Sequence, residues 1–161
     1  MSAAPRPTAP SDGSRWDSGD RNGDAGVLGP LCVSPANCAA WWPHAEEIIA
    51  AALRRGNGGT PLAEVRGDVL GGRALLWIAW SPADEVIVGA AVTALVLQGD
   101  ERRCELVAFA GDFARCRAFL PRLEQFAREE GCGAMRIIGR TGWRRRLTDY
   151  AEPFVVLEKR L

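Results

Sequence analysis

The stretch VIVGAAVTALVLQGDERRCELVAFA, residues 86–110, decides the fold. Val86 to Gln98 is apolar and rich in β-branched residues, the composition of a long buried strand, with Gly89 marking a bulge or kink. Gly99-Asp100-Glu101-Arg102 is a tight polar connection, and from about Arg103 to Ala110 the chain returns as a second strand. Just upstream, Ala74 to Trp80 reads as a further strand, joined to Val86 through the turn Ser81-Pro82-Ala83-Asp84. Successive strands linked by short turns make an antiparallel meander.

Outward from the meander the apolar period becomes helical. Trp41, Trp42, Ala45, Ile48, Ile49, Ala52 and Leu53 share one helical face, with Pro43 in the first turn and Gly56 closing the helix. Thr60 is placed to cap a second, shorter helix with Pro61 at its first position, and Gly71-Gly72 ends it. Val33, before Ser34-Pro35, reads as a short first strand. Downstream, Phe113, Cys116, Phe119, Leu120, Leu123 and Phe126 line an amphipathic helix between Asp112 and Glu130, with Asp112 as N-cap and Gly131 at the left-handed C-terminal position. Pro121 splits that span into a short turn and a main helix beginning there. Met135 to Ile138 is a buried strand which a right-handed crossover places parallel and adjacent to the strand ending near Ala110. A short basic helix from Arg140 to Leu147 and a last strand from Phe154 to Leu161 complete the order. The class is α+β: a mixed central sheet, an antiparallel meander plus one parallel pair, flanked by helices.

The 161 residues suit one domain, from Leu31 to Leu161. Residues 1–30 are mostly Pro, Gly, Ser, Asp, Ala and Arg, too poor in apolar groups to offset the entropy of ordering, and are expected to be a disordered tail. Twenty basic and twenty acidic residues cancel, which disfavours nucleic acid and anionic membranes as partners of the whole molecule. Cys32, Cys38, Cys104, Cys116 and Cys132 contain no C-x-x-C pair and are odd in number, which speaks against a disulfide framework or a metal site and for reduced, partly buried thiols. Without an apolar h-region near Met1, or a run of about 18 apolar residues anywhere, the expected location is cytoplasmic. His44, the sole histidine, has no carboxylate or cysteine at ligand spacing. Arg136, Arg140, Arg144, Arg145 and Arg146 surround Trp143 in one basic stretch, which fits either a solvated surface or a grip on phosphates or an acidic partner.

The element order, with Leu76-Trp77-Ile78-Ala79-Trp80, Val88-Gly89-Ala90-Ala91-Val92, Met135-Arg136-Ile137-Ile138 and the closing Val156-Leu157-Glu158-Lys159-Arg160-Leu161, resembles the GNAT (Gcn5-related N-acetyltransferase) superfamily. Gly139-Arg140-Thr141-Gly142-Trp143 is similar to an element of divergent GNAT-like proteins among phage and prophage genes. The resemblance implies a three-layer fold and an N-acyltransferase that takes acetyl-CoA or another acyl-CoA and an unidentified amine acceptor. It implies that the pantetheine lies along the fourth strand, at Val107, Ala108 and Phe109, and the pyrophosphate on the loop holding Gly111, Arg115 and Arg117. That loop, Gly111-Asp112-Phe113-Ala114-Arg115-Cys116-Arg117, departs from the family's Q/R-x-x-G-x-G/A pattern: it has one glycine, and an Asp where an anion would lie. The family's acid, often a Tyr on the helix after the fifth strand, has no counterpart in Trp143-Arg144-Arg145-Arg146-Leu147, and Tyr150 lies beyond it. Glu105 fits either a base or an ordinary solvated ion pair. No catalytic residue is assigned, and a catalytically degenerate GNAT fold serving as a binding or structural module, with a protein as partner, is the alternative.

Overall fold

Alternating side chains along residues 74–111 build the sheet around which everything else packs. The computed structural model describes residues 26–56, 59–112, 115–116, 118–138, 141–145 and 147–151. Five strands, β1 (Leu28–Cys32), β2 (Ala74–Ser81), β3 (Val86–Gln98), β4 (Glu101–Gly111) and β5 (Ala134–Ile137), lie in sequence order across one sheet. Pairing is antiparallel from β1 to β4 and parallel between β4 and β5. Gly99, at φ +63°, makes the reversal that sets Gln98 opposite Glu101. The meander and the parallel pair thus stand as the sequence predicts. A bulge at Val88, beside Gly89, shifts the β2–β3 register between Ala79 and Trp80.

Helices α1 (Pro35–Arg55) and α2 (Leu62–Leu70) cover one face, where Trp41, Trp42, Ile49 and Val65 pack on Leu76, Ile78 and Val92. Helix α3 (Phe119–Glu129) covers the other, setting Phe119, Leu123 and Phe126 against Trp77, Ala91 and Leu106. The ring of Trp77 meets Phe126 edge-on at 5.0 Å, and its Nε1–H donates to the fully buried Thr93 hydroxyl at 2.9 Å. Both rings of the Trp41-Trp42 pair are buried in the same core, although neighbours on a helix point about 100° apart. This is possible because α1 packs against α2 as well as the sheet, so its buried arc is wide.

The structure corrects several expected boundaries. The first strand is Leu28–Cys32, so three residues read as tail belong to it, and Val33 follows it, bonded to Leu76 O at 2.8 Å. Helix α1 starts at Pro35, which fits a first helical position, and Pro43 lies inside it. That internal proline is tolerated because Ala39, whose carbonyl loses its helical donor, is exposed to water. Pro61, not Thr60, is the N-cap of α2, and its carbonyl accepts from Glu64 and Val65. The split before α3 is real, but the helix begins at Phe119, leaving Pro121 in a first turn where its missing N–H costs nothing. Gly131 has the expected positive φ (+71°), and the Cys132 N–H closes the helix on Ala127 O at 2.9 Å. The basic segment is a short 3-10 turn, Thr141–Arg145. The predicted last strand, Phe154–Leu161, most of the predicted tail, and Arg117, Arg140 and Arg146 lie outside the described residues.

Candidate functional site

Strand β4 changes character at Val107. Its pairing with β3 runs Thr93 to Leu106 and then Val92 to Ala108, so Val107 is an inserted residue without a partner on β3. Side chains record the same break: Leu106 faces the α3 core, Val107 and Ala108 both face the α1 core, and Phe109 returns to the α3 side. The parallel ladder with β5 ends at the same level, its last pair being Leu106 and Ile137. From Ala108 to Gly111, β4 keeps its β3 partner but has none on the β5 side among the described residues. An exposed length of strand edge offers backbone N–H and C=O groups to an extended ligand carrying amides of its own.

Below this opening β5 is pinned. Arg136 Nη1 donates to Glu105 Oε1 at 2.9 Å and Nη2 to Gln98 Oε1 at 2.7 Å, while Arg103 Nη1 donates to the same Gln98 oxygen at 2.6 Å. Glu105 is therefore in a cross-strand ion pair, as one of its two sequence readings has it.

Above the opening, β3 and β4 come together through glycine. Gly89 pairs with Gly111, and a Cβ on Gly111 would lie 2.5 Å from Gly89 Cα and 2.6 Å from Val88 O. The loop that follows folds back over this contact. The Asp112 N–H donates to Val88 O at 3.0 Å, the Cys116 N–H to Asp112 O at 2.9 Å, and the Cys116 thiol rests on Val88 O at 3.6 Å. Asp112 Oδ1 accepts from the Arg115 N–H at 3.4 Å, so this Asp caps the loop turn and not α3 itself.

The Arg115 side chain turns away from the strand edge toward the β2–β3 turn. Its Nη2 donates to Ser81 Oγ at 2.7 Å and to Asp84 Oδ2 at 2.8 Å, and the Ser81 hydroxyl donates to the same Asp84 oxygen at 2.8 Å. Hydrogen bonds from Arg115 and then Ser81 hold the Asp84 carboxyl below the ordinary aspartate range. Arg115 Nε is buried and has no hydrogen-bond partner among the described residues.

Aromatic rings line the α3 side of the open edge. Phe109 lies 5.1 Å from Phe119 and 5.9 Å from Trp143, so the turn after β5 brings a ring back onto β4. Tyr150 is held elsewhere: its hydroxyl donates to Glu124 Oε1 at 2.8 Å, and burial followed by that carboxylate pushes the phenol up, so it stays protonated. Burial also pushes the Cys32 and Cys104 thiols up to about 12 and Cys116 to about 11, leaving them unreactive at neutral pH.

Val107, Ala108, Phe109 and Gly111 thus share the open segment of β4, Arg115 reaches the neighbouring turn, and Arg117 lies outside the described residues. Sequence reasoning missed Asp84 and Ser81, which read only as turn residues, and the Phe109–Trp143 contact. Nothing local signals a pairing across 31 residues.

No protein-family model matches this sequence, and no curated protein matches it significantly. Solved structures do. An aminoglycoside acetyltransferase from an uncultured soil metagenomic sample superimposes with a TM-score of 0.58 at 14% identity, covering 84% of this chain and 94% of that one. A "predicted acetyltransferase" of Clostridium acetobutylicum with acetyl-CoA gives 0.55 at 10% identity, over 80% and 94%. A GNAT family acetyltransferase from Staphylococcus aureus gives 0.54 at 11%, over 81% and 96%. The fold is the GNAT fold. Among the described residues, no helix is long and apolar enough to cross a membrane.

Proposed function

We propose that the chain is a cytoplasmic N-acyltransferase that takes its acyl group from acetyl-CoA or another acyl-CoA. The observation that carries this reading is the bulge at Val107, beyond which β4 presents an edge that β5 leaves open. The amides of a pantetheine arm pair with backbone groups between Val107 and Gly111, while Phe109 and Trp143 give its methyl and methylene groups an apolar wall. An acceptor amine then attacks the thioester carbonyl. The C–N bond forms, the C–S bond breaks, the amine gives up a proton and the departing thiolate takes one. With Glu105 bound to Arg136 and the Tyr150 hydroxyl bound to Glu124, the chain acts mainly by positioning the thioester, a contribution that can be large without a dedicated acid or base.

Those engaged groups, with a loop of one glycine whose Arg115 is held by Asp84, favour a second reading: a catalytically degenerate GNAT-fold binding or structural module without turnover.

Calorimetric titration of the full chain with acetyl-CoA and CoA separates these from a fold that uses neither ligand. Saturable micromolar binding is expected, with a stabilisation of about 2.7 kcal/mol at 100 times Kd, a rise of roughly 5–10 °C in Tm. A panel of amines, aminoglycosides and amino sugars among them, then tests transfer through release of free CoA thiol. Binding without thiol release selects the module; no binding at millimolar ligand refutes the acyl-CoA reading.

A further inference from the structure

Arg115 lies in the loop that follows the open segment of β4, and its guanidinium is bound to the chain's own carboxylate. We propose that Asp84 is an internal competitor at this edge, holding the Arg115 guanidinium in the ligand-free protein and releasing it to a phosphate of the bound acyl-CoA. This rests on the acyl-CoA reading above.

The contact is built as a replaceable one. An Arg fork commonly meets an anion through two parallel N–H donors, but Asp84 offers one oxygen to Nη2, and Nε is buried with no partner among the described residues. An anion with more acceptor oxygens satisfies both. Asp84 is half exposed, its side chain showing 52% of its surface, so its departure uncovers no core. Ser81, fully buried, keeps both partners in place by accepting from Arg115 and donating to Asp84. The turn carrying Asp84 continues into Glu85 at φ +52°, a conformation uncommon for a residue with a side chain. Arg115 itself is fastened near the open edge, since its own N–H and that of Cys116 bond to Asp112, whose N–H bonds to Val88 O.

The test uses the full chain and calorimetric titration with CoA, dephospho-CoA and pantetheine. Asp84→Asn is expected to bind CoA about two- to fivefold more tightly than the wild type, the equivalent of an exposed ion pair, with pantetheine binding unchanged. Arg115→Gln weakens CoA, and the double variant binds like Arg115→Gln alone. A gain that persists with dephospho-CoA assigns the pyrophosphate to Arg115; a gain that vanishes assigns the 3′-phosphate. Ser81→Ala, which loosens the contact while keeping every charge, gives a smaller gain of the same pattern and carries the test if Asp84→Asn fails to fold. If the wild type binds CoA and neither variant binds it more tightly, the competitor role is overturned while the acyl-CoA reading stands. If no form binds CoA or pantetheine, both fall together.

Discussion

Gly89→Ala probes the contact that brings the Arg115 loop onto the sheet. Gly89 has no positive φ, so alanine is allowed by its backbone and any cost is steric. The new Cβ would stand 2.4 Å from Cys116 Sγ and 3.3 Å from Phe119 Cε2. Sulfur and carbon approach no closer than roughly 3.5 Å without repulsion, so Cys116 must move by about 1 Å. It sits 4% exposed between two strands and α3, and insertions into such packing cost about 1–3 kcal/mol. Cys116→Ala removes the offending sulfur, at the expense of one buried apolar atom, about 1 kcal/mol. The two changes should therefore be non-additive: Gly89→Ala/Cys116→Ala should be more stable than the sum of the singles by about 1–2 kcal/mol. Urea unfolding of all four proteins measures this, with an unchanged m-value showing that the shift in midpoint is a shift in stability. Gly111→Ala is the internal contrast, because its Cβ would strike backbone, Gly89 Cα at 2.5 Å and Val88 O at 2.6 Å, from a φ of +153°. Cys116→Ala should not rescue it. Strict additivity of the Gly89 and Cys116 changes, or rescue of Gly111→Ala, refutes the packing argument.

Thr93→Val should strand the Trp77 Nε1–H, which has Thr93 Oγ1 as its buried acceptor, and cost about 1–3 kcal/mol; adding Trp77→Phe should recover part of that loss, read by the same unfolding assay. Asp84 predicts a pH dependence. Its folded pKa lies below the ordinary 3.8 because Arg115, then Ser81, donate to the carboxylate. Its contribution is therefore fully present above the unfolded value and is lost as pH falls through the folded one. The stability gap between wild type and Asp84→Asn should be constant from pH 7 to about 5 and close in more acid solution; a gap that widens on acidification contradicts the assignment.

What the sequence reveals, and what it hides, divides along local and long-range physics. Strands β2 to β4, the parallel placement of β5 and the Gly131 terminus were legible because alternation, turn residues and left-handed glycines act over a few neighbours. The start of α1 was not, because Pro35 and Pro43 both suit a first turn and only the exposure of Ala39 permits the second inside the helix. In the site, the open segment of β4 was reached only through resemblance of the whole element order. The bulge that creates it is silent: Leu106, Val107 and Ala108 are all apolar, and an inserted residue among apolar neighbours leaves no mark on composition. Gly89 did announce its bulge, yet its closer constraint is the approach of Gly111, a partner fixed by register. The Arg115–Asp84 pair is further out of reach, since either charge alone reads as surface.

The pinned and open ends of β5 belong to one arrangement. At the lower end, Arg136 ties β5 to Glu105 and Gln98, and the Gly133 N–H donates to Arg102 O at 2.9 Å, so separation of the strands there would break a ladder and an ion pair. At the upper end the bulge has already ended the ladder, and parting β4 from β5 breaks no described backbone bond. Among the described residues the two strands are thus tied below and free above. Along the free segment the chain runs from Gly111 through Phe109, whose ring lies 5.9 Å from Trp143, to the bulge at Val107. On the acyl-CoA reading proposed above, it is this free segment, more than any single side chain, that supports acyl transfer.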